Sequence, residues 1–146
     1  MDASAISQII FLIILLIFSA FFSSAETALT TVNKIRMRTL ADDGNKRAER
    51  VLRITDDSHK MLSAILIGNN IVNLSASSLA TTLAIKLWGS VGAGIATGIL
   101  TFLILVFGEI SPKTFATLYA DQISIAYSGI IGFLMKILTP VIFLVN

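Results

Sequence analysis

The chain contains no cysteine and only one histidine, His59, and these two absences exclude several classes of site. Without cysteine there is no disulfide and no thiolate ligand for zinc, copper or an iron–sulfur cluster. A single histidine leaves no two-histidine metal motif. Charge is also scarce, since 14% of the 146 residues are charged, against about 25% in an ordinary soluble domain. With 55% hydrophobic residues, the chain is predicted to be one all-α membrane domain over residues 1–146.

Three long apolar stretches predict three transmembrane helices, at 3–33, 59–86 and 89–116. Each is longer than the roughly 20 residues that an α-helix needs to cross a bilayer. Lys86 and Trp88 lie between the second and third stretches, and such residues are typical of a membrane–water interface.

The segment between the first two spans is strongly basic. Residues 34–60 hold eight of the eleven Lys and Arg residues, so the positive-inside rule places this segment in the cytoplasm and the N-terminus outside. Apolar residues spaced among the charges predict two short amphipathic helices in 34–58, separated at 43–45. We interpret the segment as a solvated loop that touches lipid headgroups, in preference to a nucleic-acid-binding patch.

The C-terminal segment, 120–146, has two alternatives. Only 14 uncharged residues separate Asp121 from Lys136, so a fourth span would bury Lys136 in hydrocarbon. A juxtamembrane helix lying in the inner interface and bent at Pro140 costs less, and it is the prediction that we favour.

The apolar spans carry polar residues that need a reason to be there, since a charge at mid-membrane depth is expensive. On the first span, Ser19, Ser23 and Glu26 share one helix face and Ser24 flanks it. On the second, Asn70 and Asn73 share a face. Asn69 and Asn73 share another.

The third span carries Glu109 next to a proline-containing break. Pro112 has no N–H, so it cannot bond the carbonyl of Gly108 four residues earlier, and that oxygen is predicted to be free. A bare carbonyl beside a carboxylate at a helix break is typical of cation sites in membrane proteins. Lys113 follows directly.

These three clusters are predicted to meet just inside the membrane midplane. Hydroxyl, amide, carbonyl and carboxylate oxygens are hard ligands that suit Mg²⁺, Ca²⁺ or Na⁺. Interhelical hydrogen bonding is the alternative for any single Ser or Asn. Glu26 has two interpretations: a second carboxylate behind the ligands, or an ion-pair partner of Lys34, Arg36 or Lys113.

Together, the strings FFSSAETAL (21–29), GNNIVN (68–73) and GEISPK (108–113) resemble the transmembrane domain of the CNNM/CorC family of magnesium transporters. The resemblance covers essentially the whole chain, and Ser24 departs from it, standing where the family often has alanine. It implies three spans, the short cytoplasmic helices and the juxtamembrane helix described above.

The same resemblance implies a function and a ligand set. It implies a homodimer in the plasma or inner membrane that exports Mg²⁺ as Na⁺ enters, with cytosolic CBS domains in the full-length protein. It implies Mg²⁺ ligation by Ser19, Ser23, Asn70, the Gly108 carbonyl and Glu109. Supporting roles fall to these residues: Glu26, Ser24, Asn69, Asn73, Pro112 and Lys113.

Two other functions use the same site. A dimeric anchor or sensor module would bind Mg²⁺ without moving it, and a Na⁺-selective carrier would hold Na⁺ on the same oxygens. An intramembrane serine protease is not expected, because no His or Lys lies at the depth of the serines. The chain is therefore predicted not to be an enzyme.

Overall fold

A computed structural model describes residues 3–145, apart from the surroundings of the residues at positions 91, 93, 96, 108 and 145. This range is almost entirely helical and contains no strand. In chain order the helices are α1 (Ala3–Thr31), α2 (Lys34–Asp42), α3 (Lys46–Asp56), α4 (Ser58–Ile104), a π-helix (Leu105–Ile110), α5 (Ser111–Leu118), α6 (Ala120–Ile137) and α7 (Thr139–Val145).

Three helical stretches are long and apolar enough to cross a membrane: Ala3–Thr31, Ser58–Ser90 and Thr97–Leu118. They confirm the predicted all-α fold with three membrane-spanning helices. The second and third stretches share α4, which is interrupted at Gly89. Its φ of 74° lies in the left-handed region that glycine adopts at no steric cost. We call 58–88 the first arm of α4 and 90–104 the second arm.

Side-chain caps fix where the short helices begin. The side chain of Asn33 accepts a hydrogen bond from the Arg36 N–H, at the start of α2. Asn45 does the same for α3, and Asp57 for α4. Gly44, with φ 96°, turns the chain between α2 and α3, at the predicted break. Each cap satisfies an N–H that a helix leaves without an intrahelical partner.

The hydrophobic core lies at the basic end of the bundle, and the middle of the membrane-spanning helices contributes little to it. It joins the end of α1 to α3, the start of α4, and α6, through Leu29, Val51, Ile65 and Ile131 among others. Within the spans, most large apolar side chains are exposed on the outer surface of the chain. That surface suits contact with lipid, because hydrocarbon is as apolar as the side chains themselves.

One ion pair ties the C-terminal segment to this core. Asp121, at the start of α6, accepts hydrogen bonds from the backbone N–H of Asn33 and from Nη1 of Arg36, both at 2.9 Å. The helix is interrupted at Leu138, between α6 and α7, two residues before the bend predicted at Pro140. Pro140 lies in the first turn of α7. A missing N–H costs nothing there. The interfacial location of this segment stays a prediction.

Candidate functional site

A chain of hydrogen bonds connects three predicted site residues across the three spans. Oγ of Ser19, on α1, donates to Oδ1 of Asn73, on the first arm of α4, at 2.7 Å. Nδ2 of Asn73 donates in turn to Oε1 of Glu109, in the π-helix, at 3.3 Å. Ser19 is fully buried, and Asn73 and Glu109 are half-buried. The structure therefore brings together one polar residue from each of the three predicted clusters.

Asn73 uses both ends of its amide in these bonds. Its carbonyl oxygen accepts from Ser19 and its NH₂ group donates to Glu109. The Ser19 hydroxyl uses its O–H as a donor and keeps its oxygen lone pairs, and the Glu109 carboxylate keeps most of its own. Asn73 is thus a positioning residue, which orients two oxygens that can still accept a cation.

The helix register extends the site by one turn. Consecutive spans run antiparallel, so the pairing of Ser19 with Asn73 places Ser23, one turn later on α1, opposite Asn69, one turn earlier on α4. Oγ of Ser23 and Oδ1 of Asn69 are both buried, and neither has a hydrogen-bond partner among the described residues. Buried polar atoms are nearly always satisfied, so two orphan oxygens at one level point to a ligand.

A close approach of α1 and α4 makes this level of the bundle tight. A Cβ atom at Gly68 would lie 2.6 Å from Cε1 and Cζ of the Phe22 ring. A side chain at this position would therefore require the Phe22 ring to shift. Gly68 precedes Asn69, and Phe22 precedes Ser23, so the contact holds the two helices together beside the orphan oxygens.

The third span enters the site through the π-helix, where the Ser111 N–H bonds the carbonyl of Val106, five residues earlier. π-Helical turns are rare, and they are frequent at functional sites. Pro112 lies in the first turn of α5, which begins where the π-helix ends. The surroundings of Gly108 lie outside the described residues, so the predicted opening of its carbonyl stays a prediction.

Three other predicted site residues do not join the cluster. Asn70 is exposed on α4, while Asn69 and Asn73 are half-buried and Asn73 accepts a hydrogen bond from Ser19 of α1. Ser24 donates to the carbonyls of Ala20 and Phe21 in its own helix. Lys113 is exposed.

Glu26 is half-buried near the C-terminal end of α1. Its carboxylate makes no hydrogen bond or ion pair within residues 3–145. Arg36, one of its three predicted partners, binds Asp121 instead.

The chemistry of the site is limited to oxygen ligands with few charges. The described residues contain no group of three His, Cys, Asp or Glu side chains that could hold a metal ion. Any cation would meet the Glu109 carboxylate together with neutral hydroxyl and amide oxygens. This is the ligand chemistry of Mg²⁺ or Na⁺, since soft metals prefer sulfur and imidazole.

Comparison with known proteins decides the family. Residues 10–146 match the family model of the cyclin M transmembrane N-terminal domain, CNNM. The chain belongs to the CNNM family. It is 46% identical to a UPF0053 protein of Haemophilus influenzae, over all of this chain and 35% of that protein. It is 41% identical to the UPF0053 inner membrane protein YfjD of Escherichia coli, over 88% of this chain and 30% of that protein.

The CNNM domain is also 38% identical to a chloroplastic DUF21 domain-containing protein of Arabidopsis thaliana, over 92% of this chain and 20% of that protein. This chain therefore spans about a third or less of the length of these relatives. The family and the three apolar helices make it a multi-pass membrane protein.

Two features of the CNNM site differ from the prediction made from the sequence. The sequence predicts Asn70 as a ligand and gives Asn69 and Asn73 only supporting roles. Three asparagines within five positions present two helix faces, and periodicity alone does not choose between them. The sequence also predicts a proline-containing break with a free Gly108 carbonyl, and it gives no indication of the π-helix over Leu105–Ile110 that the structure has there. The antiparallel register of Ser19 with Asn73 is the signal that identifies Asn69.

Proposed function

We propose that this CNNM domain is a secondary transporter that exports Mg²⁺ in exchange for Na⁺. The observation that carries the proposal is the hydrogen-bonded chain of Ser19, Asn73 and Glu109, which joins all three spans. A cation held there would touch every helix that must move relative to the others for alternating access. One carboxylate among neutral oxygens is a ligand set that both Mg²⁺ and Na⁺ accept, so the two ions can compete for one site.

The proposed ligands are the oxygens that the structure leaves available. Ser19, Ser23 and Asn69 would supply neutral oxygens and Glu109 the negative charge, with the Gly108 carbonyl as the predicted fifth ligand. The orphan oxygens of Ser23 and Asn69 support this set, because a bound cation would satisfy both. Mg²⁺ demands near-octahedral oxygens at about 2.1 Å, and it keeps water where the protein supplies fewer than six.

The proposal includes the orientation of the chain across the bilayer and the membrane in which it lies. The basic segment 34–60 would lie in the cytoplasm and the N-terminus outside, following the positive-inside rule. The plasma or inner membrane is the proposed location, and one relative is named as an inner membrane protein. The greater length of the relatives is consistent with further domains, and cytosolic CBS domains are the ones we propose.

A homodimer through this domain is the proposed assembly. Asn70, Ser77 and Ser78 lie exposed on the first arm of α4, in the middle of a membrane span. Polar side chains facing lipid are unfavourable, and a second copy would give them hydrogen-bond partners. Asn70 would then belong to the dimer surface, one helix face away from the ligands.

The test is Mg²⁺ flux and equilibrium Mg²⁺ binding, with wild type beside Glu109→Ala and the matched control Glu49→Ala. Glu49 is an exposed carboxylate on α3, outside the spans. We expect Glu109→Ala to abolish both saturable binding and flux from reconstituted vesicles, and Glu49→Ala to retain both. Raising Na⁺ should weaken Mg²⁺ binding to wild type.

Each other outcome has a definite meaning. Unchanged flux in Glu109→Ala would refute the site. Binding that is lost in Glu109→Ala, without Mg²⁺ flux in wild type, would identify the anchor or sensor module instead. Na⁺ flux without Mg²⁺ flux would identify a Na⁺ carrier.

A further inference from the structure

A cavity lined by charged side chains lies at the basic end of the bundle, away from the intramembrane cluster. It has a volume of about 520 Å³ and lies between α3, the start of α4 and α6. Its lining includes Arg50, Arg53, Lys60 and Lys136, with Asp57 and Phe133. Four cationic side chains against one carboxylate give the cavity a formal charge of +3.

The cations of this cavity form no ion pair with any described acidic residue. Within residues 3–145 the one ion pair joins Arg36 to Asp121, which lie outside the cavity. Asp57 lines the cavity, and its side chain accepts from the Lys60 N–H at 3.3 Å as the cap of α4. Four like charges around one cavity repel each other, and an anion would remove that cost.

The shape of α6 holds one of these cations in place. A Cβ atom at Gly129 would lie 2.9 Å from Nη1 of Arg50, so the guanidinium lies directly against the backbone of α6. Gly132, three residues on, is in ordinary contact with Ile54 of α3, since its Cβ would lie 3.6 Å from Cγ2 of that residue. Arg50 is half-buried as a result. Its planar set of N–H donors is therefore partly ordered before any ligand arrives, which favours bidentate binding of an oxyanion.

The position of the cavity at a membrane surface suggests the source of the anion. Lys60 lies at the start of a membrane-spanning stretch, which begins at Ser58. On α6, Ile130, Phe133 and Ile137 form an apolar face, and each is more than half exposed. Phe133 lines the cavity itself. A ligand bound here would meet cations on one side and a lipid-compatible surface on the other.

We propose that this cavity binds the phosphate headgroup of an anionic membrane phospholipid. The phosphate would bind Arg50, Arg53, Lys60 and Lys136, while the glycerol and upper acyl chains would pack along Phe133. Basic pockets at the membrane surface between helices are a known way of holding anionic headgroups. The lipid would clamp α3 to α6, and thereby connect the short helices to the C-terminal segment. This proposal is independent of ion transport.

The test is lipid binding by the purified protein in neutral detergent, followed by native mass spectrometry. Phosphatidylglycerol is compared with phosphatidylcholine of the same chain length, with inorganic phosphate as a competitor. The variant is Arg50→Gln with Arg53→Gln. The charge-matched control is Arg38→Gln with Arg47→Gln, two exposed arginines of the same basic segment that do not line the cavity.

We expect wild type and the control pair to retain phosphatidylglycerol in preference to phosphatidylcholine. The Arg50/Arg53 pair should bind it on the order of 10- to 30-fold more weakly, since each basic residue near a membrane surface contributes about five-fold. Gly129→Ala, which displaces the Arg50 guanidinium, should weaken binding without removing any charge.

Three outcomes would overturn the proposal. One is equal phosphatidylglycerol retention by both arginine pairs, and another is equal retention of the two lipids by wild type. The third is displacement of phosphatidylglycerol by inorganic phosphate at an equal concentration. That result would identify free phosphate as the ligand. Circular dichroism of each variant separates lost binding from lost folding.

Discussion

The hydrogen bond between Ser19 and Asn73 predicts a measurable energetic coupling. Asn73→Ala removes the acceptor of Ser19 and the donor to Glu109 together, whereas Ser19→Ala removes only the first bond. Hydrogen bonds between membrane helices contribute about 0.6 kcal/mol on average and up to about 1.7 kcal/mol. The bond is short, at 2.7 Å, and Ser19 is fully buried. We therefore expect a coupling of roughly 1 to 1.7 kcal/mol in a double-mutant cycle.

The assay is reversible unfolding in mixed micelles, with helicity followed by circular dichroism as the denaturing detergent increases. A control cycle uses Ser24→Ala with Asn73→Ala, because Ser24 is also buried on α1 but bonds only its own helix. Its coupling to Asn73 should be near zero. If Ser19 couples to Asn73 no more strongly than Ser24 does, the hydrogen-bonded chain does not form in the membrane domain and the proposed ligand geometry fails with it.

Two further predictions concern packing and charge. Gly68→Ala should lower the free energy of unfolding by roughly 1 to 3 kcal/mol, because its Cβ would lie 2.6 Å from the Phe22 ring. Gly132→Ala, whose Cβ would meet Ile54 at an ordinary 3.6 Å, is the control, and an equal loss in both would refute the packing argument. Asp121→Ala should destabilise the chain by about 1 to 3 kcal/mol, since it removes a hydrogen bond from the Asn33 N–H to a charged carboxylate together with the ion pair. Arg36→Ala removes only the exposed ion pair and should cost less than about 1 kcal/mol, so an equal cost measured by the same unfolding assay would contradict this.

The helical architecture could be predicted from the sequence because charge alone marks the ends of the spans. A charged residue in hydrocarbon is expensive, so the three long apolar stretches with few charges are predicted to be the membrane helices. The break between α2 and α3 could also be predicted, since Gly44 and Asn45 provide a turn and a cap in consecutive positions. These signals are local and need no knowledge of how the helices pack.

The site could be predicted only in outline, because its details depend on helix register. Adjacent residues in a helix point about 100° apart, so the choice between Asn69 and Asn70 depends on which face meets α1. The contact of Gly68 with Phe22 sets that face. The pairing of Arg36 with Asp121, 85 positions apart, is of the same kind. Long-range contacts of this sort leave no periodic trace in the sequence.

The number of carboxylates at the site constrains how a divalent cation could be carried. Glu109 is the one carboxylate that the described hydrogen bonds bring to the cluster, and it neutralises half of the charge of Mg²⁺. An uncompensated charge in a medium of low dielectric constant is strongly unfavourable. Mg²⁺ would therefore retain part of its water there, or Glu26 would have to approach from its position seven residues after Ser19 on the same face of α1. Na⁺ needs no second carboxylate. Under the proposed exchange, the same site would thus hold Na⁺ fully neutralised and Mg²⁺ only half neutralised.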